Sequence, residues 1–67
     1  MSEERSSLMF EIDEQIARLR ADLRDLTERA AAANGAASED RLNELITSAE
    51  TQLTTLQEKR DALASGA

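Results

Sequence analysis

Apolar residues recur along the first half of the chain at alternating intervals of three and four. Met9, Ile12, Ile16, Leu19, Leu23, Leu26, Ala30 and Ala33 follow one another in this way. That spacing places them in one stripe along an α-helix, at the a and d positions of a heptad. After an interruption the stripe resumes with Leu42, Ile46, Ala49, Leu53, Leu56 and Leu63, and Arg60 stands at one seam position. Period-two alternation is absent, so the pattern predicts helix throughout.

The interruption is Ala33-Asn34-Gly35-Ala36-Ala37-Ser38. A glycine after a helical run is the usual residue for a left-handed helix terminus, and Gly35 is expected there at positive φ. Ser38 suits an N-cap, followed by Glu39 and Asp40 near the positive end of the helix dipole. Upstream, Ser2 followed by Glu3 and Glu4, or else Ser6 or Ser7, suits the start of the first helix. These signals predict a first helix over about 3–33, a loop over about 34–38, a second helix over about 39–64 and a frayed tail at 65–67.

Folding the chain back at the loop pairs residues whose numbers sum to about 72, as antiparallel coiled-coil packing requires. Ala30 then faces Leu42, Leu26 faces Ile46, Leu23 faces Ala49, Leu19 faces Leu53, Ile16 faces Leu56 and Met9 faces Leu63. Each pair sets an a position against a d position, so two separate stretches of sequence agree on one fold point. The expected fold is an all-α, antiparallel two-helix hairpin of coiled-coil type. Arg60 falls opposite Ile12, where its aliphatic stem covers the isoleucine and its guanidinium reaches Asp13 or Glu11. On the flanks, Arg20 is expected near Glu50 and Gln15 near Lys59.

Composition agrees with long helices. Proline, cysteine, histidine, tryptophan and tyrosine are all absent from the 67 residues, and Phe10 is the only aromatic. No disulfide or thiolate metal site can form. Nucleophilic systems that need His or Cys are excluded, as is a Glu-x-x-His di-iron site. Glu11 and Glu14 share a helix face, but acidic pairs at that spacing are ordinarily solvated. The chain is not expected to be an enzyme or to take a metal, a cofactor or a small-molecule substrate.

Fourteen acidic against eight basic residues give a net charge of −6. That balance argues against nucleic acid, whose binding needs a basic face, and against anionic membrane surfaces. No stretch approaches the roughly 20 apolar residues of a membrane span. The acidic start, MSEERSSLMF, does not read as a secretory signal, and a cytoplasmic location is the expectation.

The apolar stripe covers only about two positions in seven, which suits a two-stranded coil and leaves a small core. A chain this short is marginal alone, so association into a helical bundle is expected. Leu8, Met9 and Phe10 form a consecutive apolar run, of which only Met9 faces the seam. Leu45 is a further apolar surplus beside it. The outer face of the second helix carries Thr47, Ser48, Thr51, Thr54 and Thr55, and reads equally as an uncharged solvated face or a partner-binding face. Candidate protein contacts are therefore Leu8, Met9, Phe10, Leu45, Thr47, Thr51 and Thr54. The leading expectation is assembly with copies of itself or as an adaptor; the alternative is a small co-chaperone or regulator holding a helical partner.

The layout is similar to that of sporulation phosphatase-regulator hairpins. Their Ser-Gln-x-x-Asp signature is replaced here by Ser48-Ala49-Glu50-Thr51-Gln52. It also resembles the short hairpin co-chaperones of type III secretion needle subunits, in architecture alone. Either resemblance implies a non-catalytic protein that binds another protein.

Overall fold

A computed structural model describes residues 3–66. Two helices fill it: α1, Glu3–Ala32, and α2, Ala36–Ala64. They pack along their lengths as an antiparallel hairpin 51 Å long, 16 Å wide and 12 Å deep. α1 opens with Glu3 and Glu4 in its first turn and closes with Arg29 in its last, charges that match the two ends of the helix dipole.

The seam runs where the heptad pattern puts it. Among the described residues of α1, every residue that is buried or half-buried belongs to the stripe Arg5, Met9, Ile12, Ile16, Leu19, Leu23, Leu26 and Ala30, which Ala33 continues into the turn. In α2 the matching set is Leu42, Ile46, Ala49, Leu53, Leu56, Arg60 and Leu63, with Gln57 beside it. Of the described residues, only Ile12, Ile16 and Ala49 are buried outright, at 9, 6 and 7 % exposure. With two helices each seam residue has neighbours on one side only, so the core is a line rather than a volume. The accessible surface is 5088 Å², against about 4,200 Å² for a compact protein of 7.4 kDa.

The turn differs from the sequence reading. It is three residues long, 33–35, and Ala33 donates its N–H to the Ala30 carbonyl at 3.3 Å to close α1. Gly35 is the N-cap of α2, with φ −140° and ψ 140°, an extended conformation open to any residue. Its carbonyl accepts the first helical bond, from Glu39 N–H at 3.0 Å. The expected positive φ at Gly35 is thus overturned, and so is Ser38 as N-cap. Ala36 and Ala37, good helix formers, extend α2 backwards by a turn and carry Ser38 inside it. No side chain caps the new start. The left-handed glycine is Gly66, at φ 77°. It ends α2, with Ser65 N–H donating to Asp61 O at 3.0 Å and Gly66 N–H to Leu63 O at 3.3 Å. Residues 65 and 66 thus form the end of α2, while Ala67 and Ser2 as a cap lie outside the described residues.

Candidate protein-contact site

The seam arginine settles the register at the open end. Nε of Arg60 donates to Oδ1 of Asp13 at 2.5 Å, a bond between helices across 47 residues of sequence. Of the two acceptors expected for Arg60, Asp13 is the one used. Ile12, level with Arg60, is among the three buried side chains, in keeping with coverage by the arginine stem. Both partners are nearly half exposed, 43 and 48 %, so water screens the pair and its contribution to stability is small.

The flanking pairs expected from the fold-back do not form. Among the described residues no ion pair joins Arg20 to Glu50; Arg20 instead lines a shallow groove with Asp13, Gln57 and Asp61. Arg18 pairs with Glu14 at 3.9 Å and Arg29 with Asp25 at 3.2 Å, each along its own helix. In both the acid precedes the base by four residues, the orientation that helices favour. Long side chains find a partner one turn away at less conformational cost than one across the hairpin.

Sequence reasoning missed Arg5, a half-buried member of the seam. Its guanidinium lies against the end of α2, 3.9 Å from where a Cβ on Gly66 would stand. The last turn of α2 has no basic residue of its own, so Arg5 brings a cation to the negative end of that helix from the other strand of the hairpin. The signal was available, because Arg5 sits one heptad before Ile12.

Three large apolar side chains stand out from the hairpin: Leu8 and Leu45 at 49 % exposure and Phe10 at 64 %. All three were expected from the sequence, and Met9, between Leu8 and Phe10, is half-buried in the seam, as its position requires. The run Leu8–Phe10 is not one patch. Residues two apart on a helix point about 200° apart, so Leu8 and Phe10 lie on opposite broad faces. Leu45 instead borders a groove between the helices, together with Leu19, Leu26 and Ala49 and rimmed by Asp22 and Asp25.

Thr47, Thr51 and Thr54 are exposed on the outer face of α2. The hydroxyl of Thr51 donates to the Thr47 carbonyl at 3.0 Å and that of Thr55 to the Thr51 carbonyl at 3.1 Å. Gln52 Nε2 donates to Ser48 Oγ at 3.4 Å. Thr51, Thr55 and Gln52 thus bond within their own helix, and nothing in that bonding calls for a partner. Among the described residues no group of three or more acidic side chains is placed to hold a metal ion, and no helix is long and apolar enough to cross a membrane. Compared with protein families, curated proteins and solved structures, the chain matches none.

Proposed function

We propose that this protein is a small non-catalytic hairpin that assembles through helix–helix packing, with copies of itself as the first partner. One observation carries the reading: Leu8, Leu45 and Phe10 are 49, 49 and 64 % exposed on a hairpin that buries only three side chains among the described residues. Each of these side chains is only partly covered in the isolated chain and gains roughly another 1 kcal/mol or more when the exposed part is covered. Sedimentation equilibrium of the wild-type chain over a dilution series tests the proposal. A mass that rises with concentration to a closed oligomer supports it, and a well-folded single chain at every concentration refutes it.

A second reading rests on the groove beside Leu45. Its apolar floor and acidic rim suit the ridge of a helix from another protein, with basic residues flanking its apolar positions. This co-chaperone-like role is favoured if the chain stays single and folded yet binds a basic amphipathic helical peptide, with binding lost on Leu45→Asp. A cytoplasmic setting belongs to the same proposal and is tested by fractionating cells that produce the protein.

A further inference from the structure

We infer that the hairpin turn is a self-modification site, at which the Asn34 side chain cyclises onto the main-chain nitrogen of Gly35 and water then opens the ring to aspartyl and isoaspartyl products. The inference rests on the turn alone and does not depend on the assembly reading above.

The reaction needs a carboxamide, a following main-chain nitrogen open to attack on it, and a backbone that no helix holds. The chain has two asparagines, Asn34 and Asn43. Asn34 lies in the gap between α1 and α2 and is exposed. Among the described residues its carboxamide makes no hydrogen bond, and neither does the Gly35 N–H. Glycine has no side chain to shield its nitrogen, and the place where a Cβ would stand is open to 4 Å. The reacting groups belong to adjacent residues, so attack closes a five-membered ring and has the advantage of an intramolecular step. The bonds that flank the turn, Ala33 N–H to Ala30 O and Glu39 N–H to Gly35 O, use no atom of that ring.

Asn43 is the internal contrast. It lies inside α2, where the N–H of Glu44 belongs to the helical ladder. Gln15, Gln52 and Gln57 also lie within the helices, and a glutamine would have to close a less favoured six-membered ring.

The step needs no reagent but water, and nothing is oxidised or reduced. The Gly35 nitrogen gives up its proton and bonds to Cγ of Asn34. The Cγ–Nδ2 bond breaks, and the side-chain nitrogen leaves as ammonia with that proton. The succinimide so formed has two carbonyls on one nitrogen. Water adding at Cγ breaks the Cγ–N bond and leaves aspartate in an unaltered main chain. Water adding at the main-chain carbonyl breaks the other C–N bond and routes the chain through Cβ and Cγ, which is isoaspartate. Either product adds one negative charge to the net −6, and isoaspartate also lengthens the turn by one main-chain carbon.

The test ages the 67-residue chain in mildly alkaline buffer beside a peptide of residues 31–38. Intact mass, peptide mapping and labelling by an isoaspartyl methyltransferase are the readouts. The folded chain should lose one amide, at Asn34, within about tenfold of the peptide's rate, because the turn need not open first. Asn43 should react on the order of tenfold more slowly still, or less, because its helical turn must open. Gly35→Ser should slow the reaction severalfold by shielding the nitrogen, and Asn34→Gln should remove it over the same period, both with helix content unchanged by circular dichroism. A folded chain slower than the peptide by more than about tenfold means that the turn must open first, and overturns the assignment. So does a loss mapped to Asn43 or to a glutamine, or a Gly35→Ser variant that ages as fast as wild type. A loss at Asn34 that never yields isoaspartate overturns the cyclic route.

Discussion

Gly35→Ser should stabilise this protein, against the usual expectation for a glycine in a tight turn. Gly35 has φ −140° and ψ 140°, the extended geometry typical of an N-cap, and α2 starts without a side-chain cap. A Cβ built there meets nothing within 4 Å. A serine hydroxyl can therefore accept a bond from the N–H of Ala37 or Ser38, one of the donors left open at a helix start. Serine exceeds glycine at an N-cap by only a few tenths of a kcal/mol. Restricting the unfolded chain adds about 0.4–1 kcal/mol. The total is about 1 kcal/mol, which corresponds to a rise of roughly 4–8 °C in Tm for a chain of this size. Thermal unfolding by circular dichroism measures it, at one fixed chain concentration because association also raises Tm. An unchanged or lower Tm would refute the reasoning and put Gly35 back in the left-handed region, with α2 starting later.

Gly66→Ala should act in the opposite sense. Its φ of 77° costs an L-residue roughly 1 kcal/mol, less where the helix end frays, and a lowered Tm is the expected readout. Arg60→Leu should raise stability by about 1 kcal/mol in urea unfolding, since a screened ion pair gives way to an apolar contact with Ile12. Ala49→Leu should cost about 1–3 kcal/mol, because Ala49 is 7 % exposed in the seam at the level of Leu23, and a larger side chain there pushes the helices apart. Cysteines placed at 19 and 53 should form a disulfide within one chain on oxidation; crosslinks only between chains would mean that the helices open out and pair across molecules.

The seam was legible because a two-stranded coil asks little of a sequence beyond its spacing. Positions from Met9 to Ala30 and from Leu42 to Leu63 are covered as the three-four rhythm requires, and Arg60 reaches Asp13 because the fold-back sets them side by side. The turn was less legible. Glycine serves both a left-handed helix end and an extended N-cap, so Asn34-Gly35 fits either, and the helix-forming Ala36-Ala37 decided between them. Arg5 went unnoticed because a search for apolar stripes passes over an arginine whose stem packs like one. The expected Arg20–Glu50 pair did not form, and Arg20 lines the Asp13 groove instead. For the candidate contacts, exposure of Leu8, Phe10 and Leu45 followed from their heptad positions. That Leu45 opens onto a groove shared by both helices needed the packed coordinates, and so did the internal bonding of Thr51 and Thr55.

Self-assembly is the central claim, and sedimentation equilibrium of the unmodified protein tests it most directly. Over a dilution series at low salt, the account expects a reversible shift between one chain mass and twice that mass, with helix content retained at the concentrated end. A folded species of one chain mass at every concentration would contradict it.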